Sequence, residues 1–133
     1  MAIRDLLRNQ LVTQSLSPAA RTNGTGTGTA VDLRGYDAAV LTVSFGTWTD
    51  GTHTPSAIQS VDGTTYTACA VTDLDGTFSA VSGTATANSI QQVGYIGTQR
   101  FVSVVMTTTG ATTGALSQAN VIAGYPRNAP TFP

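Results

Sequence analysis

Lysine and glutamate are absent from this chain: its six basic residues are all arginine and its seven acidic residues all aspartate. Charged residues make up 10% of 133 positions, against roughly 25% in ordinary globular chains. With a net charge of −1 there is no basic stripe to displace phosphate counterions, which argues against a nucleic-acid partner. The single cysteine, Cys69, excludes an intrachain disulfide and cannot build a zinc site alone. It reads as a small buried residue. No continuous apolar stretch is long enough to span a bilayer, and Arg4, Asp5 and Arg8 interrupt the start. Neither a membrane span nor a signal peptide is expected, and production in a cytoplasm follows.

What remains is a surface of Thr, Ser, Ala, Gly and Gln. Lysine and glutamate are depleted at the cores of protein interfaces, so this composition suits packing against other protein. The plain alternative is a Thr-rich sandwich whose neutral surface follows β-propensity. The length predicts one domain with a real core.

The most insistent strand is Arg100–Thr107. Val102, Val104 and Met106 form one apolar face and Phe101, Ser103 and Val105 the other, because side chains alternate across a strand. The second face is apolar enough to need cover from a sheet, a loop or a neighbouring subunit. Ala38 to Phe45 reads as a half-buried strand, with Leu41, Val43 and Phe45 opposite Val40, Thr42 and Ser44. Ser89 to Tyr95 and Ala115 to Tyr125 read as two more, the latter with Val121 and Ala123 opposed to Ile122. Val71 to Ala87 is expected to be a long crossing loop anchored by Leu74, Phe78 and Val81.

The amino-terminal segment has a weak helical spacing in Ile3, Leu6, Leu7 and Leu11, and Ser17-Pro18 ends any helix. It reads either as an arm contacting a neighbour or as an edge strand of its own sandwich. The Gly-Thr alternation of Asn23 to Thr29 lacks the lysine and the glycine spacing of a phosphate cradle and reads as a flexible loop. The expected organisation is an arm and loop over 1–29, a β-sandwich over 30–125 and a Pro-rich tail over 126–133, since proline lacks the ladder donor.

Asp50-Gly51-Thr52, Asp62-Gly63-Thr64 and Asp75-Gly76-Thr77 are turn signals, the middle one predicting a hairpin between Ile58–Val61 and Thr65–Ala68. Their spacing does not fit a calcium loop. His53 reads as a surface-loop residue, no strained Gly-x-Ser-x-Gly elbow is present, and no paired acids face a cleft. No enzyme, metal site or cofactor is expected. Trp48 reads as a cap on the sandwich or as an exposed anchor.

A resemblance goes further than these residues can alone. Val31-Asp32-Leu33, Gly35-Tyr36-Asp37-Ala38-Ala39-Val40, Thr49-Asp50-Gly51-Thr52-His53-Thr54-Pro55, Ser60 with Asp62-Gly63, Tyr95 with Gly97, Arg100-Phe101-Val102, Gly110-Ala111-Thr112 and Gly124-Tyr125-Pro126-Arg127 occur in that order. In this the chain resembles small structural proteins encoded by tailed bacteriophages near the head genes, the head decoration or cement proteins. The resemblance covers most of the chain from about Leu11. It implies an all-β, jelly-roll-like antiparallel sandwich on the capsid exterior of a virion, with the major capsid protein as partner and no membrane or nucleic acid. A trimer at a lattice axis is the first expectation and a monomer between capsomers the second. Contact is expected at Leu6, Leu7 and Leu11 of the arm, at Trp48, and at Tyr125 and Arg127. Removing residues 1–16 should then leave the sandwich folded. The alternatives are a receptor- or carbohydrate-binding module using Trp48, Tyr66 and Tyr95, and a neck or tail component.

Overall fold

The computed structural model describes residues 6–127. Ten strands follow one another: β1 Gln10–Arg21, β2 Gly24–Thr27, β3 Val31–Asp32, β4 Tyr36–Trp48, β5 Thr52–Ser60, β6 Thr67–Ala68, β7 Leu74–Asp75, β8 Ile90–Tyr95, β9 Phe101–Thr109 and β10 Ala115–Pro126. Single 3₁₀ turns occupy Leu7–Asn9 and Val71–Asp73. Sheet I has the order β1-β10-β4-β8-β7 and sheet II the order β2-β9-β5-β6, with β3 also on β9. Every pairing is antiparallel. The first strand pairs with the last, β2 with β9, β4 with β8 and β5 with β6: one long hairpin wrapped over itself. That is the jelly-roll arrangement of an all-β sandwich, as expected.

The alternation read in the sequence positions the core. Leu41 and Val43 of β4 and Val121 of β10 pack from sheet I in one core cluster with Val102, Val104 and Met106 of β9, and each is fully buried, as Val93 of β8 nearly is at 1%. Burying such side chains supplies the main drive for folding, about 1.5–3 kcal/mol apiece. Polar groups inside are paired. Tyr95 donates its hydroxyl to Gln59 Oε1 at 2.7 Å, and Gln59 Nε2 donates to Asp73 Oδ2 at 2.9 Å. This chain of bonds ties sheet I to sheet II at one end of the sandwich.

Of the two readings of the amino-terminal segment, arm or edge strand, the described residues show the edge strand from Gln10 on, and they correct the expected loop; residues 1–5 lie outside the described residues. The sandwich begins at Gln10, because β1 pairs with β10 along its length, Leu11 opposite Ala123 and Leu16 opposite Ala119. Irregularities between Gln14 and Leu16 and between Leu16 and Ala19 shift the alternation. Leu11 and Leu16, five residues apart, therefore face the same side, which masks the strand's alternation in the sequence. Pro18 is tolerated because β1 is an edge strand, where a missing donor breaks no ladder bond. The Gly-Thr tract is likewise no loop: Gly24–Thr27 pairs with Thr108 to Val105, and Gly28 passes so close to Ser15 that any Cβ there would collide with its side chain.

At the other end, Pro126 still pairs with Tyr36, so the sandwich runs one residue past the expected boundary. The remainder of the expected tail, 128–133, lies outside the described residues. The second face of β9 is covered partly by the chain itself. Ser15 and Gly28 bond to Ser103, and Gly63, in the loop after β5, lies against the Phe101 ring.

His53 is not a surface residue but fully buried in β5. Its Nε2 lies 3.0 Å from the Asp50 carbonyl and must donate there, so Nδ1 accepts from the Thr108 hydroxyl at 3.1 Å. The three Asp-Gly pairs do turn the chain, with Gly51, Gly63 and Gly76 all at positive φ. Only the middle one closes a hairpin, Ile58 opposite Ala68. The first joins β4 in sheet I to β5 in sheet II.

Candidate interaction surface

The outward face of sheet I can be read row by row from its register. Gln10, Gly124 and Ala38 form one row; Val12, Ile122, Val40 and Gly94 the next; then Gln14, Asn120, Thr42 and Gln92; then Gln118, Ser44 and Ile90. Across β1, β10, β4 and β8 no charged side chain stands in these rows; on the edge strand β7 the second row ends in the exposed Asp75, opposite Gly94. Val12 and Ile90 are 52% and 67% exposed. Amides and hydroxyls keep such a face wettable, and each can both donate and accept.

One end of this face deepens into two adjoining depressions. The first, about 440 Å³, is an apolar groove walled by Leu6, Val40, Ile122 and Tyr125. The second, about 290 Å³, is polar and is lined by Arg34, Tyr36, Asp37, Gln99, Arg100 and Arg127 among others. Ala38 and Ala39, at the start of β4, belong to both walls.

Each rim residue is held by an identifiable element. The Leu7–Asn9 turn, closed by the Asn9 N–H on the Leu6 carbonyl at 3.1 Å, sets Leu6 beside β10. Tyr125 has φ 51°, a left-handed conformation that is unfavourable for a bulky side chain, and the residue is 77% exposed. Arg127 is anchored through its main-chain N–H to the Gly35 carbonyl at 2.8 Å. Opposite, the Tyr95 hydroxyl receives the Gln99 N–H at 3.0 Å, ordering the turn that forms the far wall. Burial pushes the Tyr95 hydroxyl pKa up.

The charges in the second depression are unevenly committed. Arg100 grips Asp32 with Nε and Nη2 at 2.8 and 2.7 Å and lies 4.9 Å from the centre of the Phe101 ring. That guanidinium lowers the Asp32 pKa, and the carboxylate raises that of Arg100. Arg127 reaches one Asp37 oxygen at 3.2 Å, both side chains being well exposed. Arg34 touches Asp32 only through its main-chain N–H, at 2.9 Å.

The expected contact residues divide accordingly. Leu6 and Tyr125 meet at the apolar groove, and Arg127 lines its polar neighbour. Leu7 is exposed in the same 3₁₀ turn but lines neither depression. Leu11 shares its face with buried Ala123 and points inward. Trp48 packs against the core and donates its indole N–H to the Gly51 carbonyl at 2.8 Å. It pairs with Ala115 at the far end of β4, away from the rest. Val12, Val40, Ile122 and Arg34 went unread as contact residues. The outward positions of Val40 and Ile122 were legible, but not that their strands are neighbours.

Elsewhere, Cys69 is half-buried, and burial with the charge of Asp73 pushes its thiol up to about 11. Among the described residues no three His, Cys, Asp or Glu side chains gather as metal ligands, and no helix is long and apolar enough to cross a membrane. Comparison with protein-family models, with curated proteins and with solved structures finds no match.

Proposed function

We propose that this protein is a structural component of a tailed-phage virion, a decoration or cement protein that binds the outer capsid surface and stabilises the head. The observation that carries the reading is the charge-poor outward face of sheet I, without a charged side chain across β1, β10, β4 and β8 and with Asp75 only at its β7 edge, ending in the paired depressions. A face covered by another protein must shed its water, and charges buried there without partners are strongly unfavourable. Amide and hydroxyl rows interleaved with Val12, Ile122, Val40 and Ile90 can be covered without stranding one. The order of motifs that resembles phage head proteins supports the same reading. Attachment as a trimer or as a single copy between capsomers is compatible with one such face per chain.

A carbohydrate- or receptor-binding module would draw on a shared aromatic platform. Trp48 and Tyr66 are instead bonded within their own turns, Tyr66 to the Gly63 carbonyl at 3.2 Å, and Tyr95 is buried. Copy number in purified particles tests the proposal, measured by quantitative mass spectrometry with the major capsid protein as standard. Near one copy per capsid subunit is expected. A few tens of copies would assign the protein to a fibre, neck or tail, and its absence from particles would end the virion reading.

A further inference from the structure

We propose that the two depressions form a single receptor for an extended, apolar-acidic segment of the capsid subunit. An apolar side chain of that segment enters the groove between Leu6 and Tyr125, and a nearby Asp or Glu carboxylate pairs with Arg34 and Arg127. This deepens the proposed function and rests on it.

Continuity is the first support. The depressions share the wall formed by Ala38 and Ala39. Tyr125 on one and Arg127 on the other are two residues apart, so one ligand chain laid alongside meets both. The groove selects for an apolar side chain, since Leu6, Val40, Ile122 and Tyr125 offer it no charge.

Charge complementarity supplies the second half of the occupant. Three arginines, Arg34, Arg100 and Arg127, face the polar depression, and the aspartates pairing with them are two, Asp32 and Asp37. The Arg100–Asp32 pair is bidentate and complete. Among the described residues Arg34 has no ion pair at contact distance: its main-chain N–H bonds Asp32, on whose carboxylate its charge acts only at longer range. Arg127 holds Asp37 by one oxygen in a solvated setting, where such pairs contribute little and exchange readily. A carboxylate arriving here meets one uncommitted guanidinium and one exchangeable one, and planar guanidinium groups suit carboxylates geometrically.

Tyr125 adds an independent sign. A bulky residue held at φ 51° immediately before Pro126 is strained, and such strain concentrates at binding and switch sites. Here it holds an exposed aromatic ring on the rim of the groove.

The test uses heads of the encoding phage assembled without this protein, and measures binding of the full-length chain by co-sedimentation. Wild type should bind, and binding should weaken as salt rises. Arg34→Glu and Tyr125→Gly should each raise Kd at least tenfold while keeping the wild-type circular dichroism and melting curve. Thr54→Ala, exposed on β5 of sheet II and away from this face and both depressions, should bind as wild type does. Heads that bind wild type and both variants alike would overturn this inference and leave the decoration role standing. Failure of wild type to bind would overturn both. Should Arg34→Glu dissolve a self-assembly of the free protein while head binding is unchanged, the receptor belongs to a second copy and the capsid segment is excluded.

Discussion

The side-chain oxygen of Ser15, in sheet I, receives the main-chain N–H of Val104, in sheet II, at 3.1 Å. The same hydroxyl donates to the Thr29 carbonyl at 3.0 Å, and Ser103 donates to the Gly28 carbonyl at 2.7 Å. These bonds fall where β2 ends and before β3 begins, so a serine from the opposite sheet fills the gap in the ladder alongside β9. Ser15→Ala should lower stability by about 1–3 kcal/mol, the range for a buried donor left unpaired. Urea unfolding should show a lower midpoint at unchanged slope. Gly28→Ala should destabilise as well, through collision with the hydroxyl and the backbone of Ser15, and the double variant should remain more destabilised than Ser15→Ala alone because the backbone collision persists.

Deleting residues 1–16 tests the same strand more severely. The deletion removes β1 from Gln10 to Leu16 and uncovers the edge of β10 from Gly124 to Ala119. The truncated chain should lose cooperative unfolding or aggregate through that edge, read by circular dichroism and light scattering. A cooperatively melting, monomeric truncation would show that β1 contributes little to the fold.

His53→Ala should act on stability alone. The ring is fully buried and satisfies both the Asp50 carbonyl and the Thr108 hydroxyl. Its loss leaves a cavity and two unpaired groups, a change of about 2–4 kcal/mol. Head binding measured well below the melting temperature should match wild type.

Acid should weaken the protein through its turn aspartates. Asp62 is held down to about 2 by the N–H groups of Thr65 and Thr64 and by the Ser60 hydroxyl. Asp50 is lowered chiefly by the Gly114 N–H, at 2.6 Å, and then by that of Thr112. Both folded values lie below the unfolded one, so the contribution is complete above about pH 4 and is lost as pH falls toward the folded values. Urea midpoints should therefore drop between about pH 4 and 2, and Asp62→Asn should drop less steeply over that window. Parallel curves for the two proteins would show that Asp62 takes no part.

What the sequence determined by itself was local. Alternation along β4, β8, β9 and β10 fixed which side chains of each strand face the core, because the period of two is a property of the extended backbone. The Asp-Gly pairs marked turns because glycine accepts positive φ without a Cβ penalty. The scarcity of charge foreshadowed a face with a charge only at its edge, Asp75. Tyr125 and Arg127 were legible as surface residues, and Pro126 as the point where pairing stops.

The tertiary structure decided the rest. Pairing of the first strand with the last decided between arm and edge strand, and no local signal carries a contact between residues more than a hundred positions apart. An irregular β1 hid its alternation, and burial of His53 depended on β9 and the 71–87 segment closing over it, where Val81 bonds back to the His53 backbone. The depressions arise from Leu6, Val40 and Ile122, with Arg34 and Arg127 beside them, drawn from three distant stretches. Side-chain direction is written in the strand, but which strands become neighbours is settled by the packing of the whole chain.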